Sequence, residues 1–120
     1  MKFTIYGRLP SLNEYTLACR GNRYGANNMK QKAEKLILSH ARAMKISKVS
    51  KYPCKLKITW YEPNSRRDCD NIVFATKFIQ DSLVKAGYLE NDSQKYINQL
   101  EHEVLVDKNN PRIEVEIISQ

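Results

Sequence analysis

The sequence predicts an α+β fold in which two helices cover one face of a mixed β-sheet. Four segments alternate apolar and polar residues as strands do, and two longer segments repeat their apolar residues at helical spacing. Their order along the chain is β-α-β-α-β-β. The 120 residues contain no internal repeat, low-complexity stretch or linker, so we expect a single domain spanning residues 1–120.

The four predicted strands are short and bounded by turn residues. The first is KFTIYG, residues 2–7, and the second is CKLKITWYE, residues 54–62, where every second residue is apolar. The last two strands cover residues 96–107 and 112–119 and are joined by the turn residues KNNP. Together they supply the strands of the sheet.

The two predicted helices differ in how clearly their ends are marked. The first is expected to begin at Asn28, which can cap it, and to continue to residue 46. The second is expected to begin near Asp70 and to end at Gly87, with Ile72, Ile79, Leu83 and Ala86 as its core stripe. Residues 8–28 are predicted to form a long loop, and loops of this length are usually functional or mobile.

The composition excludes several classes of protein. No stretch approaches the ~18 apolar residues that a membrane helix needs, and the first residues do not resemble a secretory signal. The three cysteines, Cys19, Cys54 and Cys69, form no CxxC pair, which argues against a disulfide framework or a structural zinc site. We therefore expect a cytoplasmic protein whose partners include neither a membrane nor a small-molecule substrate.

Charge is spread unevenly along the chain. The formal net charge is +7, but residues 1–57 hold 13 Lys and Arg against two acidic residues, whereas residues 58–120 hold seven against eleven. A basic half favours a phosphate-rich partner such as a nucleic acid, although a merely solvated basic surface is the alternative. The acidic half of the chain repels DNA unless a cation bridges its carboxylates and the DNA phosphates.

The segment SRRDCDNI, residues 65–72, places Asp68 and Asp70 two positions apart before a predicted helix. Residues at i and i+2 of an extended segment project to the same side, so the two carboxylates repel unless a cation lies between them. Oxygen ligands of this kind suit Mg²⁺, or Mn²⁺, with substrate phosphate completing the coordination. Asp92, just after the second helix, is a candidate third ligand. Alternatively, Asp70 caps the helix and Asp68 is an ordinary turn residue.

Cations accompany this acidic pair. Arg66 and Arg67 directly precede it and are suited to phosphate. On the second predicted helix, Lys77 shares a face with Asp70, and Asp81 is expected to pair with Lys77 at i,i+4 spacing. The alternative is a plain surface salt bridge.

The basic half supplies candidates for DNA binding. Tyr15 and Tyr24 in the predicted loop could stack on exposed bases or could equally pack beneath the loop. The candidates for the phosphate contacts, around the loop and the start of the first helix, are Arg20, Arg23, Lys30 and Lys32.

Two segments together resemble one family. The segment RRDCDNIVFATKFIQDSLVKAGYLENDSQ, residues 66–94, resembles the core motif of the RusA family of Holliday junction resolvases, and IYGRLPSLNEY, residues 5–15, resembles its first strand and G-x-P-x-x-N loop. The two segments cover about half of the chain. In this family the lysine usually lies nearer the D-N pair, where this chain has Phe74, and an aspartate is usual where this chain has Asn91.

The resemblance implies a homodimeric, Mg²⁺-dependent endodeoxyribonuclease that resolves four-way DNA junctions by paired nicks, in recombination and repair. By position, it implies that Asp68, Asp70 and Asp92 bind the metal and that Lys77 is the catalytic lysine. Asn13 of the loop joins the candidate DNA-binding residues. The alternatives to an enzyme are a non-catalytic DNA-binding module and a protein-interaction adaptor.

A two-fold homodimer would match the symmetry of a four-way junction, because one chain carries one DxD site. We expect the interface at the edges of KLKITWY and VEIIS, with Trp60 and Tyr61 as central anchors. Alternatively, Trp60 belongs to the core of the monomer, and another surface makes the contact.

Overall fold

Over the residues that the computed structural model describes, 1–22 and 24–120, the chain forms a four-stranded mixed sheet whose buried side packs against helices. The predicted α+β class is confirmed. In chain order the elements are β1 (Lys2–Tyr6), α1 (Leu12–Arg20), α2 (Gly25–Ala43), β2 (Cys54–Glu62), α3 (Cys69–Val73), α4 (Thr76–Lys85), β3 (Ile97–Val106) and β4 (Arg112–Ser119).

The strand order across the sheet is β1-β4-β2-β3. β4 runs antiparallel to both β1 and β2, whereas β3 runs parallel to β2. β3 and β4 follow each other in the chain but do not pair, because β2 lies between them. The connection crosses the end of β2, where the Asp107 N–H donates to the Glu62 carbonyl at 2.8 Å.

Trp60 lies in the core of the monomer. Only 2% of its surface is exposed, and its Nε1 donates a hydrogen bond to His102 Nδ1 at 3.1 Å. The prediction that Trp60 anchors a dimer is therefore wrong. The predicted interface edges are wrong as well, because β2 and β4 are the two interior strands and each has a neighbour on both sides.

The predicted loop over residues 8–28 contains helix α1. Ser11 caps this helix by accepting a hydrogen bond from the Glu14 N–H at 3.1 Å, and Glu14 Oε1 accepts from the Ser11 N–H at 3.2 Å. This reciprocal pair is a capping box, which satisfies two backbone donors that a helix start leaves unpaired. The capping box stabilises a helix in a segment whose Gly- and Asn-rich composition suggests a loop. The loop prediction is therefore wrong over α1.

Replacing Ser11 with alanine is expected to destabilise the protein by about 1 kcal/mol, because the cap is lost and Ser11 is buried at 3% exposure. Urea unfolding followed by circular dichroism measures the difference. Ser50→Ala, at an exposed serine, is the matched control and is expected to stay within about 0.5 kcal/mol of the wild type. Equal effects of the two changes would contradict the role of Ser11 as a cap.

The two long predicted helices have different bounds in the structure. α2 begins at Gly25, not at Asn28, and its first turn has no side-chain cap. α2 is the longest helix in residues 1–22 and 24–120, and no helix there is long and apolar enough to cross a membrane.

The second predicted helix is divided into α3 and α4 by a tight turn at Phe74 and Ala75. The Lys77 N–H donates to the Phe74 carbonyl at 3.1 Å and the Phe78 N–H to the Ala75 carbonyl at 3.0 Å, an i to i−3 spacing that tightens the backbone. Asp70 and Lys77 therefore belong to different helices. Ile72, Ile79 and Leu83 are buried as predicted, whereas Ala86 is exposed because α4 ends at Lys85.

Candidate functional site

Asp68 and Asp70 lie at the N-terminal end of α3. Asp68 occupies the cap position in an extended conformation, φ −69° and ψ 151°, but its side chain makes no capping hydrogen bond. Asp70 lies in the first turn, where its Oδ1 accepts from the N–H of Asn71 at 3.0 Å. The alternative in which Asp70 caps the helix is therefore wrong. Both aspartates are exposed, so their carboxylates face solvent.

Helix α1 is fastened to the segment that carries the acidic pair. The Asn13 N–H donates to Asn71 Oδ1 at 2.9 Å, so Asn13 acts here through its backbone. Arg67 forms an ion pair with Glu14 and donates to the Leu9 carbonyl at 3.4 Å. The predicted phosphate-binding Arg67 is thus also a structural link, and Glu14 is a residue of the site that sequence reasoning missed.

Lys77 lies in the first turn of α4, with 63% of its side chain exposed. Its ammonium is 3.6 Å from Asp81 Oδ2, which confirms the predicted i,i+4 pair. Phe74, where the family's lysine usually lies, is half-buried, and its ring lies 5.4 Å from that of Tyr15 and 5.6 Å from that of Phe78. Phe74 is therefore part of an aromatic cluster, and the catalytic role of Lys77 stays a prediction.

Asp92 lies in an exposed turn after α4. The side chain of Asn91 organises this turn, because its Oδ1 accepts from the N–H groups of Asp92 at 2.7 Å and Ser93 at 3.0 Å. Within the described part of the chain, no group of three or more His, Cys, Asp or Glu side chains could hold a metal ion. The structure thus does not gather Asp92 with Asp68 and Asp70, and the role of Asp92 stays a prediction.

The chemistry of the Asp68–Asp70 pair fits a hard divalent cation. Neither carboxylate has a cationic side chain as an ion-pair partner among residues 1–22 and 24–120, and both are open to solvent. Mg²⁺ is commonly held by one or two carboxylates while waters and substrate phosphates fill its other positions. A pair of free carboxylates is therefore a sufficient protein contribution.

The predicted phosphate contacts are only partly available. Arg20 and Arg66 are exposed, and Lys32 is exposed on α2. Lys30 lies 3.8 Å from Asp81, the same carboxylate that Lys77 contacts. Arg23 lies outside the described residues.

The two tyrosines of the predicted loop differ. Tyr15 packs against the rings of Phe74 and Phe78, and its hydrogen bond with the Cys19 side chain raises the pKa of its hydroxyl. Tyr24 is 57% exposed. Tyr15 therefore packs within the fold, which was the alternative to stacking on DNA bases.

Comparison with family models places nearly the whole chain in one family. The model of the endodeoxyribonuclease RusA matches residues 13–118, which includes the acidic pair, Lys77 and Asp92. No curated protein matches the chain. RusA nucleases act on branched DNA and generally depend on a divalent metal. The chain therefore belongs to the RusA family of endodeoxyribonucleases, enzymes that resolve Holliday junctions.

Proposed function

We propose that this resolvase hydrolyses phosphodiester bonds with Mg²⁺, or Mn²⁺, held by Asp68, Asp70 and Asp92. The observation that carries the proposal is the exposed carboxylate pair at the start of α3, whose side chains neither make a capping hydrogen bond nor pair with a cation in the described chain. An uncompensated pair of like charges is unfavourable in the free protein. A ligand that neutralises both carboxylates removes this repulsion.

The residues around the pair have separate roles in this proposal. Asp68, Asp70 and Asp92 would hold the ion, and its chemistry there would be to polarise the scissile phosphate and lower the pKa of an attacking water. Arg66 lies two residues before Asp68 and is exposed, and it would hold a phosphate oxygen of the same strand. Lys77 stabilises the negative charge that develops on the phosphate or the leaving oxygen.

The ion pair of Lys77 is compatible with this role. An exposed pair such as Lys77–Asp81 is worth no more than about 1 kcal/mol. The ammonium can therefore exchange Asp81 for a phosphate oxygen at small cost. Asp81 also lies near Lys30 of α2, so it retains a cationic neighbour when Lys77 moves.

The alternative function is a non-catalytic DNA-binding module. Binding and strand cleavage of a labelled four-way junction and of a linear duplex with the same sequence, each over a range of salt, separate the possibilities. The proposal predicts salt-dependent binding to both DNAs and Mg²⁺-dependent cleavage of the junction. Binding without cleavage would favour the module, and the absence of salt-dependent affinity would favour a protein-interaction adaptor.

We further propose that residues 1–120 act as one domain and that two copies form a homodimer through β3. The sheet has two edges, β1 and β3. Helix α2 covers the β1 edge, where Thr4 N–H lies 3.2 Å from Met44 Sδ and Tyr6 N–H lies 3.4 Å from His40 Nε2. A strand edge whose N–H groups already donate hydrogen bonds within the same chain is protected from pairing with another chain.

The β3 edge has the features of a pairing strand. It is ten residues long, it contains no proline, glycine or lysine, and its outer side has no neighbouring strand in the described chain. It also exposes apolar side chains, since 49% of Leu100, 39% of Leu105 and 57% of Val106 are accessible. A second copy of β3 would satisfy the backbone groups and cover these side chains.

Replacing Leu100 and Val106 together with lysine is expected to convert the dimer into a monomer, because lysines on an edge strand oppose strand pairing. Sedimentation equilibrium without DNA should show twice the chain mass of 14.0 kDa for the wild type and the single mass for the double variant. Leu17→Lys, at a 68% exposed leucine of α1, is the control and should leave the dimer intact. A wild-type protein that is monomeric at tens of micromolar, roughly, would contradict the dimer.

A further inference from the structure

A pocket of about 420 Å³ lies between the segment after β1, helix α2 and the side chain of Arg67. It is not part of the acidic pair, but it shares Arg67 with the segment that carries it. The lining residues that matter here are three cations and three aliphatic side chains: Arg8, Lys32, Arg67, Leu9, Met29 and Leu36.

Two of the three cations of the pocket are held by ion pairs with carboxylates. Arg8 pairs with Glu62 at 2.5 Å, and Glu62 is buried at 5% exposure. Arg67 is held by Glu14, which also lines the pocket. Lys32 has no ion-pair partner in residues 1–22 and 24–120, so its charge is free to meet a ligand.

Arg8 also carries a hydrogen-bond donor that the protein does not use. Its Nε is buried and has no partner within the described part of the chain. Buried donors are nearly always paired, so this orphaned Nε shows that the described chain leaves part of the hydrogen-bonding capacity of Arg8 unused. Guanidinium groups fit phosphate oxygens through several N–H groups at once.

Apart from Glu14 and Asn28, the remaining wall of the pocket is apolar. Leu9 is 5% exposed, and Met29 and Leu36 are half-buried on the face of α2 that borders the pocket. The flat aromatic face of a base can lie against such a wall while the phosphate of the same nucleotide contacts the cations. A volume of about 420 Å³ is within the range of pockets that bind small ligands, and one nucleotide is of that size.

We propose that this pocket receives one unstacked nucleotide of the DNA, next to the scissile phosphate. Arg8, Lys32 and Arg67 bind its phosphate, and the aliphatic wall holds its base. Arg67 directly precedes Asp68, which places the pocket beside the proposed cleavage site and not at a remote surface. Nucleotides at the centre of a junction lose stacking more readily than those in a duplex, and this lowers the cost of extrusion. The inference rests on the proposed nuclease function.

The test uses four-way junctions with 2-aminopurine at single positions on either side of the cut, bound by saturating wild-type protein in EDTA. The emission of 2-aminopurine rises when the base leaves its stack. We expect a rise at one position beside the cut and none at positions farther along the arm. No rise at any position beside the cut would overturn the proposal.

A pair of variants assigns the signal to the pocket. Lys32→Glu should suppress the rise at saturating protein and weaken junction binding about tenfold more than Lys35→Glu does. Lys35 is an exposed lysine of the same helix that does not line the pocket. Because both variants replace lysine with glutamate, they change the net charge of the protein equally. Equal emission from the two variants would overturn the assignment.

These outcomes are independent of cleavage. If Asp70→Asn abolishes cleavage but the wild type causes no rise in 2-aminopurine emission, the pocket proposal fails and the nuclease proposal stands. If the emission rises but no DNA is cut in Mg²⁺, the nuclease proposal fails and the pocket proposal stands as a feature of a DNA-binding protein.

Discussion

Asp70→Asn is expected to abolish cleavage of a four-way junction while it preserves or tightens binding. The substitution keeps the shape of the side chain and its acceptor oxygen toward Asn71, but it removes the charge that holds the cation. A loss of about three orders of magnitude or more in cleavage rate follows, because a bound metal supplies several kcal/mol of transition-state stabilisation. Binding tightens because one charge that repels phosphates is gone.

Single-turnover cleavage and gel-shift titration on the same junction measure the two effects separately. Glu116→Gln is the control, because it removes one negative charge on the sheet, where Glu116 lies 4.0 Å from Lys2. It should cleave at the rate of the wild type. A wild-type rate for Asp70→Asn would rule out the proposed metal site.

Lys77→Met is expected to lower the cleavage rate about 100-fold with little change in junction binding, because it removes a charge that acts mainly on the transition state. Methionine preserves much of the side-chain volume and is compatible with a helix. The stability should change little, since the Lys77–Asp81 pair is exposed.

Lys85→Met is the matched control for this change. Lys85 lies on the same helix, is also exposed, and pairs with Glu34 at 3.1 Å. Its replacement should leave the single-turnover rate within a few-fold of the wild type. Equal rates for the two variants would show that Lys77 is an ordinary surface lysine.

The strands were predictable because their signal is local. Alternation over residues 54–62 identifies β2 and also the buried side of each strand, since Leu56, Ile58 and Trp60 are all buried. The order of the strands was not predictable in this way. Nothing local indicates that β2 and β4 are interior or that β1 is covered by α2, and so the predicted dimer edges were wrong.

The helix predictions were wrong for two different reasons. For α1 a local signal was present, because Ser11 and Glu14 have the spacing of a capping box, but the surrounding loop-like composition concealed it. For α3 and α4 the apolar period continues across the break, so the sequence predicts one helix. The break depends on backbone hydrogen bonds at Phe74 and Ala75 that leave the period of the buried side chains unchanged.

The candidate site divides in the same way. The D-x-D spacing of Asp68 and Asp70 could be found in the sequence, because the two residues lie two positions apart at the start of one helix. The Arg67–Glu14 contact could not, because the two residues are 53 positions apart. The same holds for the pocket, which joins Arg8, α2 and Arg67 only after the chain has folded.

The most direct test of the central claim is cleavage of a supercoiled plasmid that carries one extruded four-way junction, in Mg²⁺ and in EDTA. A metal-dependent dimer that makes paired nicks in one binding event should give linear plasmid in Mg²⁺ and no product in EDTA. Accumulation of nicked circles in place of linear product would contradict paired cleavage. Cleavage at the same rate in EDTA would contradict the metal site at Asp68 and Asp70.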